Sequence, residues 1–263
     1  MALHVHVLGD GRPLVVLPSF SLDHVAMAAV FEPVLSSRSG WMRIYVDLPG
    51  TGTSSPGEPR SDAVLDEVVH TLDGLLERQS FLVAGWSYGA YLAAGLARRL
   101  PERVDGILLT CSGFKIRPED RNLTGVLPSR AEPDWLTDVP PRLHEHFEHA
   151  IGRQSAQVAR RVAEVIALNG PTDATYLATL RNDGFALTDE GARVPYEGNV
   201  TFLNGRRDRV AGYLDAFEAL DRYDRATYVA VADAGHYLPL EQPQIFAAVA
   251  LSWLDECASE SVS

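Results

Sequence analysis

The chain has 263 residues, 46% of them hydrophobic, enough for one well-buried domain with room for a small inserted element. Its formal net charge of −12 repels phosphate backbones and anionic headgroups, which argues against nucleic acid and membrane surfaces and for a small-molecule partner. No window approaches the ~18 uninterrupted apolar residues of a membrane span.

Residues 1–10 lack the basic start and long apolar run of a signal peptide, so a cytoplasmic protein is expected, with a homo-oligomer compatible with the sequence. Basic residues are almost all arginine, Lys115 being the sole lysine, and no mechanism follows from that bias. Cys111 and Cys257 have no CxxC or Cys/His neighbours and read as buried thiols.

In chain order, residues 4–8 alternate polar and apolar, and Gly9-Asp10-Gly11 turns into the apolar run 13–18. This predicts a hairpin leading into a strand buried on both faces. A second strand is predicted over 42–47, closed by the turn-rich stretch 48–57. A helix follows over 62–78, with Val64, Leu65, Val68, Leu72, Leu75 and Leu76 on one face. Residues 80–84 read as a strand, 88–100 as a small-residue helix stopped before Pro101, and 103–110 as another strand. The alternation breaks over 113–198, a proline-punctuated stretch with helical runs near 143–151, 156–168 and 172–180. Strands return at 199–203 and 226–230, each followed by a helix, near 213–221 and 244–256, ahead of a polar tail at 259–263. Alternating strands and helices predict a parallel sheet covered by helices, formed by 1–112 and 199–263, with 113–198 as a helical cap.

The chemistry centres on Gly85-Trp86-Ser87-Tyr88-Gly89, set between the strand 80–84 and a helix rich in alanine and glycine. A sharp strand-to-helix turn lifts the Ser87 hydroxyl clear of the sheet, and glycines two positions to either side avoid collisions with the neighbouring backbone. The turn also sets Ser87 at a helix N-terminus, where peptide N–H groups stabilise a developing anion. A serine needs a base to take its proton, and the expected order is serine, acid, histidine. Asp208 follows the strand 199–203, and His236 follows a strand near 228–232. Both positions are where α/β sheets gather their sites. Asp215 and Asp233 compete for the acid role, but Asp215 falls inside a predicted helix and Asp233 is too near His236 in sequence.

These marks, with the turn Asp47-Leu-Pro-Gly-Thr-Gly-Thr-Ser54, resemble the α/β-hydrolase superfamily over nearly the whole chain outside the cap. A dinucleotide-binding reading of the same turn fails because Ser55 stands where a third glycine belongs. The resemblance implies a mostly parallel eight-stranded sheet flanked by helices, no cofactor, and an oxyanion hole made by the N–H groups of Tyr88 and Phe20. The early loop Pro18-Ser-Phe-Ser-Leu-Asp23 departs from the family's usual His-Gly, with Ser19 in the glycine's place. Ser87 argues against the dehalogenase and epoxide hydrolase relatives, which carry aspartate at the elbow.

Candidate pocket residues are Ser19, Trp86, Trp135, Phe147, Tyr176 and Phe185, with Phe20 opposite the nucleophile. They are equally well explained as packing between cap and body. The run His144-Glu-His-Phe-Glu-His149 reads as a solvated charged face, since a metal site needs three or four convergent ligands. The expected activity is cleavage of a carboxylic ester, thioester, lactone or activated carbon–carbon bond through an acyl-enzyme, for a small or medium apolar acyl or ring compound. The alternatives are a ligand-binding protein with little turnover and a cofactor-free perhydrolase of the kind found among relatives.

Overall fold

The structure is a computed structural model that describes residues 2–259. The body holds strands β1 (Val5–Leu8), β2 (Arg12–Leu17), β3 (Trp41–Val46), β4 (Phe81–Trp86) and β5 (Val104–Thr110), with helices α1 (His24–Leu35), α2 (Ser61–Leu76) and α3 (Tyr88–Arg99) between them. Between β5 and the next body strand lie β6 (Arg130–Ala131), α4 (His144–Ala150), β7 (Arg153–Gln154), α5 (Ala156–Leu168) and α6 (Ala174–Asp183). The body resumes with β8 (Asn199–Gly205), α7 (Leu214–Glu218), β9 (Ala226–Val231), α8 (Leu238–Glu241) and α9 (Pro243–Ser259). Ser259 of the expected polar tail closes α9, and residues 260–263 lie outside the described residues.

The sheet runs in the order β1-β3-β2-β4-β5-β8-β9. All pairings are parallel except that of β1 with β3. Two expectations are corrected here. The sheet has seven strands among the described residues, not eight. The Gly9-Asp10-Gly11 turn also does not make a hairpin. β3 lies between β1 and β2, pairing Val5 with Val46 on one side and Val16 with Tyr45 on the other. The alternating strand β1 has exposed and half-buried residues and suits an edge, whereas the apolar β2 belongs inside the sheet, so the two cannot be neighbours without exposing β3.

The period of two along β2 explains its continuous apolar run. Val15 and Leu17 join the core under α2 and α3, while Leu14 and Val16 join the core under α1 and α9. Helix α1 was not among the sequence-predicted elements. It is apolar around most of its surface and contains Pro33, because it packs on the sheet, on α5 and on α9. Its first turn is capped by Asp23, whose carboxylate accepts the N–H groups of Val25 and Ala26 at 3.0 Å. The Asp47–Ser54 turn is held by the buried Asp47, which accepts the N–H groups of His24 (2.7 Å) and Thr53 (3.0 Å). β5 pairs directly with β8, so the chain between them leaves the sheet and returns to it without breaking the parallel ladder. No described helix is long and apolar enough to cross a membrane.

Candidate active site

Ser87 sits between β4 and α3 with φ 56° and ψ −115°, a left-handed conformation that costs a non-glycine residue on the order of 1–3 kcal/mol. The surroundings enforce it. A Cβ at Gly85 would press into the carbonyl of Gly89, and one at Gly89 would press into the carbonyls of Leu17 and Pro18. The Ser87 N–H donates to the Thr110 carbonyl at 2.9 Å, and its own carbonyl accepts the Tyr91 N–H at 3.0 Å.

His236 Nε2 lies 2.8 Å from Ser87 Oγ, and Nδ1 lies 2.8 Å from Asp208 Oδ2. With Asp208 ionised, Nδ1–H donates to the carboxylate and Nε2 is left as the acceptor for the serine hydroxyl. Asp208 is 0% exposed, and its other oxygen accepts the N–H groups of Val210 (2.9 Å) and Ala211 (2.8 Å). The carboxylate is therefore fixed by its own loop, independently of the histidine. Asp215 instead pairs with Lys115 at 2.9 Å, and Asp233 with Arg207 at 3.2 Å, so neither competing carboxylate meets the imidazole.

The His236 loop is pinned from three sides. The His236 N–H donates to the Ala150 carbonyl (2.8 Å), Trp86 Nε1–H donates to the His236 carbonyl (3.0 Å), and Glu241 accepts the N–H groups of Gly235 and Tyr237. Glu241 also accepts from Gly152 (3.0 Å) and Arg153 (2.7 Å), tying the segment after α4 to the histidine loop. Burial pushes its carboxyl pKa up to about 7, against the opposing pull of those backbone donors.

Ser87 and His236 open onto a cavity of about 440 Å³ that Ser19, Phe20 and Tyr88 also line. Neither the Phe20 nor the Tyr88 N–H is taken up by an acceptor among the described residues, so both remain for a ligand oxygen. The Tyr88 side chain turns away, its hydroxyl 2.8 Å from Ser61 Oγ and its pKa raised by burial.

Several expected pocket residues lie elsewhere. Trp86, Trp135 and Phe147 are buried in the core on the α1 and α9 side, and Tyr176 packs on Gly50 with its hydroxyl donating to the Glu58 carbonyl. None of the four lines the cavity, whereas Phe185 does. The charged run in α4 is mostly exposed, His146 included, but that imidazole also reaches a partner in the body. It lines the cavity, lies 2.8 Å from the Tyr237 hydroxyl, and has its pKa lowered chiefly by burial. Sequence reasoning also missed Arg121, Asn169 and Arg181 in the lining. Each lies in the stretch without a repeating pattern, where no local signal says which side chain faces inward.

Two groups could offer metal-ligating atoms within 4.8 Å of one another among the described residues: Cys111, Asp208 and His236, and His4, His24 and Asp47. In the first, both imidazole nitrogens and both carboxylate oxygens already have protein partners, and burial raises the Cys111 pKa. In the second, Asp47 is committed to holding its turn.

Residues 14–249 match the alpha/beta hydrolase family. The chain belongs to that family. Among curated relatives, it is 33% identical over 154 residues to a pimeloyl-[acyl-carrier protein] methyl ester esterase of Shewanella woodyi, an alignment covering 58% of this chain and 54% of that protein. It thus spans about half the length of that relative. The enzyme of the same name from Shewanella oneidensis is 24% identical over 97% of this chain and 95% of its own length. A solved alpha/beta superfamily hydrolase from Oenococcus oeni superposes with a TM-score of 0.87 at 26% identity, over 97% of this chain and 96% of that one.

Proposed function

We propose that this alpha/beta hydrolase is a serine esterase that works through an acyl-enzyme, with residues 113–198 forming a cap over the site. The observation that carries the reading is the continuous chain of contacts from Asp208 through His236 to Ser87, both links 2.8 Å long, opening on a cavity. The esterase names of the Shewanella relatives support it.

In this reading His236 Nε2 takes the Ser87 proton as Oγ attacks the ester carbonyl. The negative charge that develops on the carbonyl oxygen is stabilised by the N–H groups of Phe20 and Tyr88. The tetrahedral adduct collapses, the alcohol leaves with the proton carried by His236, and the acyl group stays on Ser87. A water, deprotonated by His236, then attacks the acyl-enzyme and releases the acid. Asp208 holds the imidazole in the tautomer that accepts from Ser87 and stabilises the imidazolium.

A panel of p-nitrophenyl esters of graded chain length, with lactones and thioesters alongside, tests the reading. Hydrolysis with a burst of p-nitrophenol equal to the enzyme concentration supports it where deacylation is slow. Inactivity across the panel by a folded protein contradicts it and favours a binding protein.

A further inference from the structure

The cavity beside Ser87 carries two guanidinium groups, Arg121 and Arg181, and no carboxylate in its lining. On a chain of net charge −12 this reverses the overall sign. Arg121 is oriented by neutral acceptors. It donates to the carbonyls of Lys115 (3.2 Å), Val210 (2.7 Å) and Ile116, which fix the group without cancelling its charge. Arg181, on α6, lies with its Cζ 4.3 Å from the centre of the Phe20 ring and 6.0 Å from that of Phe185.

Among the described residues neither arginine forms an ion pair. Burial lowers both pKa values from the usual arginine value, and an arginine nonetheless stays charged at neutral pH. Arg121 is half-buried, with Asp208, Glu119 and Asp215 near enough to favour its charge but none in contact, and Arg181 is exposed to solvent, so an incoming anion can pair with either cation without displacing a contacting carboxylate. The Phe20 ring lies under the Arg181 guanidinium carbon at a distance where a cation and a ring attract. None of the Arg181 N–H groups donates to an acceptor among the described residues, so its fork of donors is available to a carboxylate or phosphate. Phe20 supplies one of the two N–H groups assigned to the oxyanion, and its ring is the one that Arg181 covers.

We propose that the cavity takes an ester bearing an anionic group, a carboxylate or a phosphate, with Arg181 binding that group and Arg121 adding a second positive charge. The proposal rests on the reading of Ser87 as an ester-cleaving nucleophile, and it adds an anionic group to the expected apolar acyl or ring compound.

The test compares pairs of esters in which one member bears an anionic group and the other a neutral group or none. Mono-p-nitrophenyl adipate against p-nitrophenyl hexanoate places the anion on the acyl arm. 4-Carboxyphenyl butanoate against its methyl ester places it on the alcohol arm, and 2-phosphoethyl butanoate against ethyl butanoate replaces carboxylate with phosphate. At least one anionic ester is expected to exceed its neutral partner by about 10- to 100-fold in kcat/KM, the worth of a charge-assisted hydrogen bond. Arg181→Met brings the ratio of kcat/KM between the anionic ester and its neutral partner down to about 1, while Arg181→Lys keeps part of the preference. Equal rates within every pair, or a Met variant that slows both members alike, overturn the proposal.

Binding separates this proposal from the esterase reading. Ser87→Ala, titrated calorimetrically with monomethyl adipate and dimethyl adipate, is expected to prefer the half-ester, and Arg181→Met in the same background to lose the preference. No preference in Ser87→Ala counts against the anion site even if wild type cleaves neutral esters. A half-ester preference in a protein that hydrolyses nothing keeps the anion site and discards the esterase reading.

Discussion

Asn169 accepts the N–H of Asp23 on Oδ1 at 2.7 Å, and its Nδ2 donates to the Ser21 carbonyl at 2.8 Å. Asp23 answers by accepting the Gly170 N–H at 2.7 Å. The loop that carries Phe20 is thus clamped from the segment between α5 and α6, around a Ser21 held at φ 68°. On the proposed reading of Phe20 as an oxyanion donor, Asn169 is a positioning residue for that loop.

Asn169→Ala is expected to lower kcat by about 10- to 100-fold with a smaller change in KM, because a misplaced N–H fails the transition state more than the ground state. Steady-state kinetics on a neutral p-nitrophenyl ester check this. A variant changed only in melting temperature would make the clamp purely structural.

Asp208→Asn keeps the size of the side chain but can turn an NH2 toward His236, which favours the tautomer that no longer accepts from Ser87. The expected loss in kcat is on the order of 10,000-fold. Near-native melting is not expected to accompany it in full, since the Val210 and Ala211 N–H groups lean on the charged oxygen. Kinetics and a thermal melt on the same sample separate the two effects.

Glu241 gives a stability signature with a defined sign. Its carboxyl titrates near 4.5 when unperturbed and at about 7 in the fold, because burial disfavours the charge. The unfolded chain releases this proton as pH rises through 4.5 while the folded chain still holds it. The contribution is therefore full below pH 4.5 and is lost as pH rises to about 7, by on the order of 3 kcal/mol. Glu241→Gln removes that dependence. Denaturant melts of both proteins between pH 4.5 and 7.5 check it, and a difference between them that does not change with pH would contradict it.

The elbow was legible because its constraint is local. Gly85 and Gly89 face backbone atoms a few residues away or on the adjoining strand, so the steric demand is written into five consecutive positions. The positions of Asp208 and His236 followed from strand order, since each loop lies at the C-terminal end of a body strand. Helix α1 was missed because its exposed stripe of Val25, Ala29 and Pro33 is as apolar as its buried face, which leaves little amphipathic contrast. The cavity lining was misjudged for a related reason. Trp135 and Phe147 satisfy the hydrophobic effect equally well in the core, and only tertiary packing decides that His146, Asn169 and Arg181 line the cavity.

The most direct test of the central claim is intact-mass measurement after exposure to a fluorophosphonate. An activated Ser87 predicts one adduct per chain in the native protein, none in Ser87→Ala, and strongly slowed labelling in His236→Ala. A folded native protein that stays unmodified, or a Ser87→Ala variant that still takes one adduct per chain, would contradict the account.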